Sequence, residues 1–463
     1  MKLSKLAFVA LSLAGLAALP AEAESALPRH HKVVQTKDMQ TCPGFGYGFF
    51  RIPNTLTCLK LGMDVVYENK LDFVKNELNL QTLRLPTPTV PGGAVPVLLL
   101  SKQNLWASAN HDLTIFDLEF TALAVTPTDN GPLVAFADGR NGVDVTLANS
   151  RLSSLPSPNF FLDQAWISWA GLTAGRHQSF FDFTSPGYGF FGGYSSLTKT
   201  GLLAYSKSFG NLVSVTASLE DPTSRQQVDG VISAVGPSRW PDLVGQIRFA
   251  PKNAVFQLSG ALHQNTDTTA FNCCLAPIRS KEGFAVLAGM ELRAHWSDYF
   301  GPGAKGMYGR LMISGAYADG ALSYLGMPFF ASDYVADADG TLHLSKGASA
   351  LISYEHLWTP FVKSTLTLSG YDVHSSSGLA SLTGVSPTVT QATQFTAGLF
   401  DFRYHVRGWA AQFGNEIAPV NGLIFGAEVN YTHDTAKAIY SGVAADPVTV
   451  GIWSGAVYVK RLF

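Results

Sequence analysis

The chain has 463 residues, a formal net charge of -2, 14% charged residues and 12% aromatics. Soluble proteins carry roughly 25% charged residues, so the composition is poor in charge, and its balance supplies no basic surface for nucleic acid. After residue 23 there is no run of about 18 apolar residues, which excludes transmembrane helices; a membrane barrel, a secreted sandwich and a propeller all fit what remains.

The first element is an export leader. Lys2 and Lys5 precede an apolar run from Leu6 to Leu19, followed by Pro20 and Ala21-Glu22-Ala23. A positive start, a short apolar stretch and a small-x-small site define a signal peptide over 1–23. The run is shorter than the roughly 20 residues of a membrane span, and the Ala-Glu-Ala site argues against an uncleaved anchor. Residues 24–55 form an N-terminal segment of the mature chain. His30 and His31 in it are metal-binding residue types, but they fall in what reads as a mobile tail, which argues against a metal site. Gly44, Gly46 and Gly48 leave room for aromatic packing rather than a nucleotide. Cys42 and Cys58 are spaced to close a modest loop, which in an exported protein suggests a disulfide contributing about 3 kcal/mol.

From residue 56 onward a period of two dominates, the signature of strands with two unlike faces. Windows of this kind fall near 56–67, 113–124, 142–150, 161–170, 172–180, 199–207, 212–220, 243–250, 254–263, 284–294, 307–317, 347–358, 363–373, 395–405, 423–431 and 450–463. In one of them Val213, Val215, Ala217 and Leu219 oppose Ser214, Thr216, Ser218 and Glu220. In another Phe425, Ala427, Val429 and Tyr431 oppose Glu428 and Asn430. A sandwich gives the same alternation with its apolar face inward. Repetition favours an all-β transmembrane antiparallel barrel of about 16 strands, since most windows approach the 9–11 residues of a tilted membrane strand. Short breaks such as Ala170-Gly171 alternate with long polar ones such as 221–240 and 264–282, as expected for turns at one rim and loops at the other. Tyr67, Phe249, Trp358 and Phe463 stand near strand ends, where interfacial aromatics belong.

Catalytic and cofactor motifs are missing from the sequence. There is no His-Glu-x-x-His, no Gly-x-Ser-x-Gly and no phosphate-binding loop; Gly301 to Gly306 lies in a turn and lacks the spacing. Asp117 and Glu119 share a strand face and read as lumen charges. The adjacent Cys273 and Cys274 lie in a polar loop, either paired or reduced. The last window, Trp453 to Phe463, runs to the end of the sequence. In a closed barrel such a strand pairs with the first and leaves no edge.

Three segments carry a family resemblance. The first runs from Cys42-Pro43-Gly44-Phe45 through Ile52-Pro53-Asn54-Thr55-Leu56-Thr57-Cys58 to Leu59-Lys60-Leu61-Gly62. The second runs from Gln164-Ala165-Trp166-Ile167-Ser168-Trp169 through Gly175-Arg176 to Phe183, and the third from Gly422 to Tyr431. With the terminal Phe463 they resemble the alphaproteobacterial outer-membrane porins of the Rhizobium/Brucella type. Met63, Asp64 and Arg461 depart from that pattern, and the region 71–160 matches it poorly.

The resemblance implies a porin barrel over 56–463 in the bacterial outer membrane, surrounded by lipid and lipopolysaccharide. It implies a homotrimer with one water-filled pore per subunit, passing small hydrophilic solutes and ions without catalysis or cofactor. Phe463 would be the signal read by the barrel insertion machinery. An inward-folded loop near Phe181 to Lys199 would narrow the pore, with Asp182 facing basic residues of the wall: Lys60, Arg176, Arg248, Arg293, Arg310 and Arg403. A substrate-selective or enzymatic outer-membrane barrel and a secreted β-rich binding protein are the alternatives.

Overall fold

The computed structural model describes residues 41–45, 48–86, 94–148, 151–152, 157–183, 193–226, 237–267, 279–295, 308–327, 331–336, 341–375, 378–380, 400–440, 443–444 and 447–462. The leader, Cys273, Cys274 and Phe463 lie outside these residues. The chain divides into two compact units at Cys58/Leu59.

In the first unit, Cys42 and Cys58 are joined by a disulfide with a sequence separation of 16. Thr41 bridges Phe50, and the Cys42 amide donates to the Phe49 carbonyl at 3.1 Å.

The second unit is a barrel of sixteen long strands: β1 Cys58–Pro86, β2 Ala94–Thr126, β3 Leu133–Ala148, β4 Ser157–Trp169, β5 Leu172–Gln178, β6 Lys199–Phe209, β7 Val213–Glu220, β8 Asp242–Phe249, β9 Ala254–Asp267, β10 Arg279–His295, β11 Tyr308–Asp319, β12 Lys346–Thr359, β13 Val362–His374, β14 Phe400–Val420, β15 Leu423–Tyr440 and β16 Val448–Leu462. Each strand pairs with the next, and β16 returns to β1 through Asp64 opposite Leu462 and Lys75 opposite Gly451. Closure removes both sheet edges, the only way a sheet can sit in lipid. Shorter pieces at Arg151–Leu152, Gly378–Ala380 and Val443–Ala444 prolong the ladder at one rim.

That rim carries the long connections, among them 179–198, 221–241 and 320–345. The other has tight turns at 170–171, 210–212, 360–361 and 421–422. Ala170 and Gly171 both have positive φ, 51° and 89°, the conformation of two-residue hairpins whose twist suits the strands.

The faces of the wall are inverted relative to a soluble protein. On β7, Val215 and Leu219 are 38% and 43% exposed, while Thr216, Ser218 and Glu220 are 3%, 4% and 1% exposed. The same holds on β8 and β9, where Leu243, Ile247 and Leu258 point out and Gln246, Gln257 and Ser259 point in. In water such an apolar exterior would be strongly unfavourable; in lipid it is required. This inversion excludes the sandwich and propeller readings.

Each of the sixteen windows overlaps a strand, residues 149–150 and 395–399 lying outside the described residues, and several strands are longer than the windows. The window 142–150 covers only the upper part of β3, and 395–405 covers only the start of β14. β1 and β2 extend well beyond 56–67 and 113–124.

Candidate channel and constriction

The segment 179–198 leaves the top of β5 and turns into the barrel. Its base is closed by the Ser179 amide donating to the Thr198 carbonyl at 2.9 Å. Polar residues on the inner wall then take hold of its backbone. Glu220 on β7 accepts from the Phe180 amide at 3.1 Å. Gln246 on β8 donates to the Phe180 carbonyl at 2.7 Å, and Gln257 on β9 donates to the Asp182 carbonyl at 3.0 Å. Gly289 on β10 leaves the space that the Phe183 ring fills; a Cβ there would lie 2.3 Å from that ring.

The far end of the segment reaches the other side of the wall. The Tyr194 amide donates to the Ser369 hydroxyl on β13 at 3.0 Å, and its phenol donates to Asp434 on β15 at 3.1 Å. Tyr371 donates to the same carboxylate at 2.8 Å. The described ends of the segment, 179–183 and 193–198, are thus fastened to different parts of the inner wall, as expected for an inward-folded loop.

Asp182 does lie on this segment, but it does not present a free charge to the pore. Its carboxylate accepts from Arg225 at 2.9 Å, from the Thr198 amide at 2.7 Å, and from Ser196 and Gln178. The Asp182 and Arg225 side chains are both 0% exposed. Arg225 comes from the 221–241 connection and lies 4.2 Å above the Tyr324 ring of the 320–345 connection. Burial works against the charge of Arg225, and Asp182, Tyr324 and Glu220 together more than offset it, so the guanidinium is held above its ordinary value. Burial lifts the Tyr324 phenol well above its usual range, with Asp242 adding to the effect; it stays protonated and donates to Asp242 at 2.6 Å. Tyr324 also meets Phe181 edge-on at 4.6 Å. Three connections are thus locked together inside the barrel, where Phe181, Leu322, Tyr324 and Leu325 are fully buried.

The basic residues expected on the wall divide into two sets. Lys60, Arg248, Arg293 and Arg310 stand on the inner columns of β1, β8, β10 and β11. Arg176 and Arg403 do not. Arg176 falls in the column of exposed Leu172 and Ala174, opposite Ala165 and Gly201, and Arg403 falls in the column of exposed Trp409 and Phe413. A period of two leaves no freedom here: an odd shift in position moves a side chain to the opposite face.

The inner cations belong to a charged belt toward the tight-turn rim, continuous over several neighbouring strands. Arg293 meets Glu291 at 2.5 Å. Arg310 meets Glu355 at 3.0 Å, and Tyr308 donates to the same carboxylate at 3.1 Å. Lys363 bridges Glu355 at 3.6 Å and Glu416 at 2.7 Å. Tyr458 donates to Glu416 at 2.8 Å and Glu428 at 3.4 Å. Lys460 meets Asp64 at 2.6 Å. Sequence reasoning missed Glu355, Lys363, Glu416 and Lys460. The alternation pointed to Lys363, which shares its column with Thr365 and Thr367 opposite Leu366 and Leu368.

The sequence matches the family described as the porin subfamily over residues 31–451. No curated protein matches it. Among solved structures it is similar to the outer membrane channel DcaP of Acinetobacter baumannii, at 12% identity and a TM-score of 0.54, covering 88% of this chain and 97% of that one. It is also matched by an anion-selective porin from Comamonas acidovorans, at 10% identity, a TM-score of 0.42 and coverage of 88% and 100%. Pseudomonas putida OprB matches at 11% identity, a TM-score of 0.42 and coverage of 88% and 94%. With a closed sixteen-stranded wall, an apolar exterior, a charged interior and a family match over most of its length, the chain belongs to the porin subfamily and is a β-barrel of the bacterial outer membrane.

Proposed function

We propose that this chain is a general diffusion porin of the Rhizobium/Brucella type, a homotrimer that passes small hydrophilic solutes and ions down their gradients. The observation that carries the reading is the inner belt of alternating charges beside an inward-folded segment. Opposed fixed charges on a low-dielectric wall order water and orient dipolar solutes. Lys60, Arg248, Arg293, Arg310 and Lys363 supply its positive charges, and Glu291, Glu355, Glu416 and Glu428 the negative charges interleaved with them. In the same reading residues 1–23 direct export, 24–55 precede the barrel and Phe463 is presented to the insertion machinery.

The outer face of β2 to β5 supports assembly. Ala122, Ala137, Ala165 and Ala174 make it flat, and Arg176 lies on it with its Nε donating to the Asp163 carbonyl at 3.0 Å, beside the Lys199–Asp163 pair. An outward Arg near the bilayer midplane costs about 2–4 kcal/mol; a neighbouring subunit removes that cost. The enclosed Phe181 and Tyr324 cluster favours a narrower, substrate-selective version of the same channel. Single-channel recording in a planar bilayer under a salt gradient tests the proposal. Ohmic openings in groups of three support it. Silence from folded, heat-modifiable protein refutes it.

A further inference from the structure

The 221–241 connection leaves β7 and returns to β8, and its two described ends enclose a hollow of about 350 Å³ at the long-connection rim. Asp221, Pro222, Thr223 and Gln226 line one side, and Pro237 to Pro241 the other. Pro222, Pro237 and Pro241 have no N–H to extend a ladder, so the wall stops here and the chain turns around the hollow.

Wall residues hold both sides in place. The Asp221 amide donates to the Gly201 carbonyl on β6 at 2.8 Å, and the Thr200 hydroxyl donates to the Asp221 carbonyl at 3.0 Å. One carboxylate oxygen of Asp221 accepts from the amide and hydroxyl of Thr223, at 2.9 and 2.8 Å. Arg225, the enclosed partner of Asp182, fixes the same turn. On the other side the Arg239 amide donates to the Gln264 side chain on β9 at 2.8 Å, and the Ser238 hydroxyl donates to the Gln264 carbonyl at 3.4 Å. Gln226 joins the two sides by donating to Ser238 at 3.0 Å. Backbone held in this way needs no ordering when a ligand arrives.

The groups left over suit one chemistry. Ser238 gives its proton to Gln264, so Gln226 must be the donor between the two side chains. That leaves the Gln226 carbonyl oxygen as an acceptor with no partner among the described residues, and the second carboxylate oxygen of Asp221 is another. The Arg239 side chain is exposed and makes no ion pair among the described residues. Trp240 is 65% exposed and adds an aromatic surface to the lining. A girdle tryptophan stands in an apolar outward column; Trp240 precedes β8 and stands among polar groups.

We propose that this hollow is a docking site for a short neutral saccharide free in solution. A pyranose has an apolar C–H face and a rim of hydroxyls that both donate and accept. Trp240 covers the face, Arg239 donates to the rim, and Asp221 and Gln226 accept from it. One carboxylate balances one guanidinium, which gives a charged ligand no advantage. The volume lies at the small end of the roughly 300–1,000 Å³ of ligand pockets, which suits one or two sugar rings. The site goes beyond the channel reading and does not need it.

Saturation-transfer NMR and isothermal titration calorimetry of the full-length protein in detergent test this, with maltose as the probe and sorbitol as a control that has hydroxyls but no ring. The wild type binds maltose and not sorbitol. Trp240→Ala binds maltose roughly tenfold more weakly, as loss of the aromatic surface dictates, while Trp240→Phe keeps most of the affinity. Arg239→Gln weakens binding severalfold. Trp358→Phe, exposed near the opposite rim, binds as the wild type does. Equal affinity in Trp240→Ala overturns the proposal, as does equal binding of sorbitol or no binding of maltose. Displacement of maltose by lipid-free surface polysaccharide at a lower concentration of sugar rings overturns the assignment to a free solute. Conductance is read separately: a conducting channel that ignores maltose refutes this inference alone, and a silent barrel that binds it refutes the channel reading alone.

Discussion

Arg225 and Asp182 meet at 2.9 Å, both wholly enclosed, although they belong to different connections of the barrel. This ion pair and the Phe181–Tyr324 contact join the inward segment to the other connections, while Glu220, Gln246 and Gln257 hold it to the strands. Replacing Arg225 with Met leaves the buried Asp182 carboxylate hydrogen-bonded but without its counter-charge, and breaking a buried pair in this way costs about 3–5 kcal/mol. The expected outcome is a loosened 179–198 segment, with larger and noisier single-channel conductance and unchanged heat-modifiable migration. Adding Asp182→Asn restores part of the quiet conductance, because the buried charge is then gone.

Charge reversal on the inner belt shifts selectivity in a predictable direction. Lys363 lies between Glu355 and Glu416, so Lys363→Glu leaves uncompensated negative charge and moves the reversal potential toward cations. Glu416→Lys moves it toward anions. One unit charge at 4 Å in water is worth about 1 kcal/mol, so permeability ratios change severalfold.

Arg176 gives the opposite result. It is outward-facing, so Arg176→Glu leaves ion selectivity unchanged. It places like charge beside Asp163 on the face proposed for assembly, and the expected outcome is a shift of the proposed trimer toward monomer in unheated gel migration or light scattering.

Gly289 stands where Phe183 packs. Gly289→Leu forces the ring out of its place, at a cost of about 1–3 kcal/mol for overpacking. Conductance rises as the segment is displaced, while far-ultraviolet circular dichroism of the barrel stays as in the wild type.

Reducing the Cys42–Cys58 disulfide removes a restraint worth about 3 kcal/mol on the unfolded chain. Protease cleavage between residues 42 and 58 speeds up, and channel conductance is unaltered.

The wall was legible because one physical rule governs each strand. Lipid outside and water inside impose a period of two, and Val213 to Glu220 displays it without interruption. β14 was read only in part because its outward column mixes His405, Arg407 and Asn415 with Trp409 and Phe413, while its inward column includes Val406 and Ala410. Polarity there no longer marks the face. Arg176 and Arg403 were not legible for a related reason: charge suggests a water-filled lumen, but these two stand in outward columns. The Asp182–Arg225 pair had no local signal, since nothing in either segment announces that two residues 43 positions apart will meet.

The anchoring of Tyr194 inside the barrel also sets an order of events during biogenesis. Tyr194 is anchored to Ser369 and Asp434, which lie 175 and 240 residues later in the chain. Those anchors do not exist until β13 and β15 have joined the sheet, and contacts of such long sequence range form late. A wall still being assembled therefore encloses a wider passage than the finished one. A cysteine at position 194 should react with a lumen-borne thiol reagent in stalled insertion intermediates and be protected in the mature barrel.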